Sequence, residues 1–273
     1  MSRILSAALL IPLVVAVVWL LPPIATLVLA CVAAVLAFTE YAALVRALGA
    51  EIPRMVGGAA VVTSCIALAL TAGPAAPGVP LARAAPLDIV LLSTMIAVGA
   101  VAVATRQPGP GALRDTAATV LAVLYIGLPL GALVAVLFLA GREVLLLLLA
   151  VIVVSDSAQY YTGRLLGRRP LAPAISPKKT VEGAAGGLVA ATLAMIAGGA
   201  WAFRSPRPLL FGLVGATIAA LGIVGDLFES LLKRSAGVKD SSHLIPGHGG
   251  MLDRIDSWLF AAPVYYVFVR YLQ

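Results

Sequence analysis

Charge is what this chain lacks most. Only 11% of its 273 residues are Asp, Glu, Lys or Arg, against 62% apolar, and mean hydropathy is +1.07. Soluble domains carry roughly a quarter of their residues as charges, so a soluble globular domain is excluded. Cysteine is nearly missing too. Cys31 and Cys65 each sit inside an apolar run, which excludes a disulfide framework and a zinc site. The familiar nucleotide-binding signatures are absent: there is no G-x-x-x-x-G-K-[ST] loop and no G-x-G-x-x-G after a strand. No internal repeat, low-complexity tail or separate soluble domain is visible.

What is present is a series of long apolar runs. Continuous runs of roughly 18 to 25 residues predict membrane-spanning helices, whereas a β-barrel would alternate in polarity. Nine candidates stand out, at about 4–21, 24–45, 55–72, 87–104, 116–139, 143–163, 181–203, 208–232 and 251–271. The expected fold is therefore all-α, a polytopic integral membrane helix bundle of about nine transmembrane helices. It would form a single membrane domain over 1–273. Residues 1–115 read as scaffold helices and 116–273 as a catalytic half, with motif loops at 164–180 and 233–254. The first run follows Arg3 but is long for a signal peptide and has no clear cleavage site, so it is expected to be retained. Glycines such as Gly57, Gly58, Gly186 and Gly187 suit close helix packing.

The sparse charges set an orientation. With a cytoplasmic N-terminus and nine alternating helices, 14 of the 19 basic residues fall inside. Arg83, Arg142, Arg204, Arg207 and Arg270 fall outside. The positive-inside rule favours this arrangement, which puts both motif loops in the cytoplasm. The net charge of +7 fits anionic lipid and nucleotide partners at a membrane surface. Nucleic acid is not expected, because no base-stacking module accompanies the charge.

Ionisable groups in a membrane protein are expensive and usually carry function. One stretch rich in them is Ser230–Ser257, SLLKRSAGVKDSSHLIPGHGGMLDRIDS. Asp226, Glu229, Ser230 and Lys233 follow i, i+3, i+4, i+7 spacing and share one helix face. Glu229 and Lys233 could be an ordinary i,i+4 surface pair. Asp226 ends an apolar run and needs a partner, for which a metal is well suited. Asp253 and Asp256 lie i, i+3 in the first turn of the last helix, where the helix dipole alone would favour one acid. Two acidic pairs on consecutive helices, joined by a basic loop, suit a divalent cation and a polyphosphate. Gly249 and Gly250, after His248, precede a helix start that would suit an anion. His243 has no such setting and is assigned no role. Upstream, Asp156 precedes a loop carrying Arg164, Arg168, Arg169, Lys178 and Lys179, and Ser176-Pro177 reads as an N-cap followed by proline at the first helical position.

These residues resemble the signature of the phosphatidate cytidylyltransferases (CDP-diacylglycerol synthases). The family pattern is met by Ser230, Lys233, Arg234, Lys239, Asp240, Pro246, His248, Gly249, Gly250, Asp253, Arg254 and Asp256. Ser155–Gly183 resembles a second family block, with Gln159 where alanine is frequent. Residues before about Thr116 match in hydropathy alone. The resemblance implies that CTP and phosphatidate give CDP-diacylglycerol and pyrophosphate. It implies catalytic roles for Asp226, Asp253, Asp256, Lys233 and Arg254. Mg²⁺, with room for a second ion, is expected on Asp226 and Asp253, supported by Asp256 and Glu229. Substrate contacts are expected from Asp156, Ser176, Lys178, Lys179, Thr180, Ser230, Arg234, Lys239, Asp240, His248, Gly249 and Gly250. The partners implied are CTP, phosphatidate and membrane lipids, with a homodimer left open. The implied location is a bacterial inner membrane, with the active site facing the cytoplasm. The D-x-x-D-G-x-x-A-R run of the CDP-alcohol phosphatidyltransferases is absent. A related CTP-dependent lipid enzyme, such as a polyprenol kinase or a cytidylyltransferase for a different lipid, is the alternative enzyme. An ion-coupled transporter is the alternative from another class, although its acids would more typically sit at broken helices near the midplane.

Overall fold

The computed structural model describes residues 2–72, 87–242 and 249–271. The helices are α1 (Ser2–Leu20), α2 (Pro23–Ala47), α3 (Arg54–Ala72), α4 (Leu87–Thr105), α5 (Pro110–Ala122), α6 (Leu128–Ala140), α7 (Arg142–Leu166), α8 (Val181–Ala202), α9 (Pro208–Ser235) and α10 (Leu252–Tyr271). α5 and α6 run on as one rod, so each of the nine expected apolar runs is a helix. Six of these rods are long and apolar enough to cross a membrane: α2, α4, α5–α6, α7, α8 and α9. The expected count of nine spans is not reached by that measure among the described residues. α10 carries Asp253, Arg254, Asp256 and Arg270, and the apolar part of α3 is short, Arg54–Leu70. The molecule is a helical membrane bundle.

The rods begin and end where local chemistry dictates. Pro23, Pro110 and Pro208 each open a helix at a position that needs no N–H. α9 closes with Gly237 at φ +73°, where Gly237 N–H donates to Arg234 O and Val238 N–H to Lys233 O. That left-handed glycine cap stops the helix just after Lys233 and Arg234, and so sets where the basic loop starts. Between α5 and α6 lies one wide π-helical turn, Val123–Gly127. Pro129 follows it. Proline has no N–H and its ring clashes with the carbonyl four residues back, here that of Tyr125, so the ladder widens at that point. The turn sets the Tyr125 ring between Phe228 of α9 and Phe260 of α10, with centroids 5.1 and 6.1 Å away.

α6 is buried on all sides from Pro129 to Leu137 and forms the central post. α3, α7 and α10 pack around it, and α8 and α9 extend the layer from α7. Backbones approach closely where glycine allows: a Cβ on Gly131 would lie 2.6 Å from the Cys65 carbonyl oxygen. In the first half, Asp115 accepts from the Glu51 N–H and pairs with Arg106, which ties the α2–α3 and α4–α5 connections together.

The all-α bundle carries one short extended element. Residues of the 164–180 loop form a short antiparallel hairpin, β1 (Pro170–Ala172) with β2 (Ser176–Thr180), registered Pro170 to Thr180 and Ala172 to Ser176. Ser176 is therefore a strand residue and not an N-cap. Residues before proline are pushed toward extended backbone, and pairing holds the chain extended as far as Thr180. The N-cap of α8 is Thr180, whose Oγ1 accepts from the Gly183 N–H at 3.1 Å.

Candidate active site

The C-terminal end of α7, the hairpin, the start of α8, the end of α9 and the start of α10 gather at one end of the bundle. Two contacts show this directly: Lys179 of β2 reaches Asp226 of α9, and Arg234 Nε donates to Ile175 O at the hairpin. The polar groups there divide into two clusters.

The first is closed. Glu229 is fully buried, and Lys233 lies between it and Asp253, with Nζ 2.5 Å from Asp253 Oδ1. The other oxygen of Asp253 accepts from Ser241 N–H at 2.9 Å, Ser241 Oγ at 2.6 Å and Gly250 N–H at 2.8 Å. The carboxylate thus fastens the residues on both sides of 243–248. Gly249 has φ +77°, and a Cβ there would meet Asp253 Oδ2 at 2.6 Å. Glycine is required on both counts.

The second cluster is open. Asp226 pairs with Lys179 Nζ at 2.5 Å, and both side chains remain partly exposed. Gly225, next to it, brings α9 against α10 so closely that a Cβ would lie 2.5 Å from the Asp256 carbonyl oxygen. Asp256 is within electrostatic reach of Asp226, Asp156 and Lys179. Asp156 accepts from Gln159 Nε2 at 3.1 Å. Carboxylates from α7, α9 and α10 therefore lie within electrostatic reach of one another and of Lys179, which pairs with Asp226.

The shared helix face on α9 is observed, but its members part company. Asp226 belongs to the open cluster, and Glu229 and Lys233 to the closed one. Ser230 is buried, with its Oγ 3.4 Å from Asp226 Oδ1. Asp253 and Asp256 likewise serve different clusters. Among the described residues, no three His, Cys, Asp or Glu side chains converge into a ready-made metal cage. Mg²⁺ commonly takes one or two carboxylates together with water and substrate phosphate oxygens, and the oxygen donors of Asp226, Asp256 and Asp156 fit that description.

Other cations on these segments face outward. Lys178, Lys239 and Arg254 are exposed, as is Asp240. Arg234 also donates to Val238 O. Ser176 and Thr180 flank the lysines on β2, with Thr180 committed to capping. His248, Pro246 and His243 lie outside the described residues. The expectation that the start of α10 offers free N–H groups to an anion does not hold in this structure. The N–H groups of Gly250, Met251 and Leu252 already bind protein carboxylates, those of Asp253 and Glu40.

Three residues were missed by sequence reasoning. Glu40 lies in α2, inside the stretch read as scaffold, although a carboxylate in an apolar span is itself a signal. Glu182 accepts from the backbone of Arg168 and Arg169 and from the Arg169 side chain, fixing the approach to β1. Tyr125, on the π turn, is buried beside both acid-bearing helices, and only the widened helix sets it there.

Acids and exposed cations gather at one end of an apolar helix bundle, which places the protein among polytopic membrane proteins with a charged end. The sequence profile of the Cytidylyltransferase family matches residues 1–272, and the chain belongs to that family. Among relatives, a protein named Phosphatidate cytidylyltransferase from Synechocystis is 47% identical over 133 residues, 48% of this chain and 45% of that one. One of the same name from Helicobacter pylori is 36% identical over 190 residues, 69% of this chain and 67% of that one. An uncharacterized protein from Escherichia coli, YnbB, is 45% identical over 132 residues, 48% of this chain and 44% of that one. The chain thus spans about half the length of the first and third of these relatives.

Proposed function

We propose that this protein is a phosphatidate cytidylyltransferase, joining CTP and phosphatidate to give CDP-diacylglycerol and pyrophosphate. The observation that carries the reading is the open cluster. Asp226 pairs with Lys179 at the polar end of a membrane bundle, with Asp256 and Asp156 within electrostatic reach and Lys178, Lys239 and Arg254 exposed on the neighbouring segments. The relatives named for this activity support the substrate pair.

In the reaction, a phosphate oxygen of phosphatidate forms a bond to the α-phosphorus of CTP. The bond from that phosphorus to the bridging oxygen breaks, and pyrophosphate leaves with the electron pair. A phosphomonoester with a second pKa near 6 is largely dianionic at pH 7, so no general base is needed. The obstacle is repulsion between two anions, which positioning and charge neutralisation remove. Mg²⁺, when bound by Asp226 and Asp256 with Asp156 beside them, supplies that neutralisation at the nucleotide phosphates. Lys179 holds Asp226 in the structure and is placed to turn its ammonium to a phosphate once that acid is otherwise engaged. Lys178, Arg254 and Lys239 draw the triphosphate to the site. Asp253, Lys233 and Glu229 act behind this front as a fixed frame. The diacylglycerol tails stay in the bilayer, and the site faces the cytoplasm of a bacterial inner membrane, in keeping with the basic charge at that end.

Purified protein in vesicles with CTP, Mg²⁺ and phosphatidate tests the reading. Release of pyrophosphate together with lipid-linked CMP is the expected result. Folded protein that forms neither, or that moves solute across the vesicle instead, overturns it.

A further inference from the structure

The catalytic end contains a carboxylate from the opposite half of the chain. Glu40 of α2 is only 5% exposed. Its Oε1 accepts from Ser242 Oγ at 2.6 Å and Met251 N–H at 2.9 Å, and its Oε2 accepts from Leu252 N–H at 2.8 Å. Ser241 Oγ stands 3.0 Å from Glu40 Oε2 and 2.6 Å from Asp253 Oδ2, so one hydroxyl proton bridges two carboxylates. Among the described residues no Lys or Arg pairs with Glu40.

A buried carboxylate without a cation is costly unless strong donors hold it. Here the donors are two hydroxyls and the orphan N–H groups at the positive end of α10. Glu40 therefore occupies the place at which a helix N-terminus would otherwise bind a substrate anion. Space gives a second, independent sign. Any Cβ on Gly250 would run into the Glu40 carboxylate and Ser241 Oγ, so glycine there leaves room for this group. Asp256 lies one helical turn beyond Leu252. Where Glu40 sets the start of α10, it also sets where Asp256 stands against Asp226.

We infer that Glu40 is a positioning residue for the transfer reaction: a carboxylate supplied by α2 that caps α10 and holds Asp256 opposite Asp226. The inference rests on the reading of that acid cluster given above. It also assigns a function to the first half of the chain, because the cap ties α2 to the signature loop.

Glu40→Gln tests it by two independent readouts. Glutamine keeps the volume but must turn an NH₂ group toward N–H donors. Hydrogen exchange of the Met251 and Leu252 amides, at the start of α10, is expected to accelerate in detergent-purified protein, with the other helices unchanged. kcat is expected to fall roughly 10- to 100-fold, the scale of a displacement of about 1 Å at a reacting centre. KM for CTP is expected to stay within about two-fold, because the contact makes no uniform binding contribution. Glu40→Asp should recover part of the loss. Unchanged exchange, or faster exchange with unchanged kcat per folded molecule, overturns the inference. If Glu40→Gln does not insert, Ser242→Ala removes one donor and leaves the carboxylate. A local exchange increase with a kcat loss supports positioning, and unchanged kcat overturns it. Asp256→Asn, measured in parallel, separates the two levels. Full activity there means the cluster reading has failed, and inactivity beside a normal Glu40→Gln means only the positioning inference has.

Discussion

Lys233 offers the sharpest test of the frame behind the open cluster. Its side chain is 10% exposed and lies between Glu229, 0% exposed, and Asp253, 6% exposed. Lys233→Met leaves a comparable apolar stem but strands two buried carboxylates without their cation. Removing one partner of a buried ion pair costs about 3–5 kcal/mol, most of it the penalty of the uncompensated charge left behind. Against a total stability of roughly 5–15 kcal/mol this is a large fraction. It corresponds to a melting shift of roughly 6–20 °C for a chain of this size. The two acids should respond differently. Asp253 keeps three donors, from Ser241 N–H, Ser241 Oγ and Gly250 N–H. Among the described residues Glu229 has no hydrogen-bond donor other than the lysine. Glu229→Gln should therefore rescue Lys233→Met, with a coupling of about 1–3 kcal/mol in the double-mutant cycle. Thermal unfolding in one detergent, followed on all four proteins, measures this. Lys233→Met melting with the wild type, or a cycle that closes additively, would refute the reasoning.

Three further outcomes follow from the same geometry. Asp226→Asn and Asp256→Asn each remove a charge without changing size, and each should lower turnover about 10²- to 10³-fold with melting close to wild type. Thr180→Ala deletes the N-cap of α8 and should cost about 0.5–2 kcal/mol, read as a lower melting temperature. Ala174→Cys, at the exposed tip of the hairpin, should label only from the cytoplasmic side of inside-out or permeabilised membranes. Labelling from the external side alone would put the acids away from CTP.

Helices were legible because apolar run length reads directly as a span, so even α9, which ends at the Gly237 cap, fell within a few residues of its expected bounds. The β1–β2 hairpin was not legible. Its residues are Pro- and Lys-rich, and a two-residue signal at Ser176-Pro177 fits a helix start as well as a strand. On α9, periodicity put Asp226, Glu229, Ser230 and Lys233 on one face. It could not tell which neighbour each would meet, because that depends on where α10 crosses. Hence Asp226 and Asp253, paired on paper, belong to separate clusters, while Asp156 joins Asp226 from α7. Glu40 is the instructive omission. Its partners lie more than 200 positions away, beyond the reach of local pattern, yet its charge within an apolar span was visible from the start.

In the proposed reaction a cytidylyl group, and not a terminal phosphoryl group, passes from CTP to a lipid phosphate. Position-specific labelling decides it most directly. Purified protein in phosphatidate vesicles is given CTP labelled at the α- or at the γ-phosphorus. The α-label is expected to enter the lipid and the γ-label to leave as pyrophosphate, both slowed about 10²- to 10³-fold in Asp256→Asn. Entry of γ-label into the lipid, or no lipid labelling by folded wild-type protein, would contradict it.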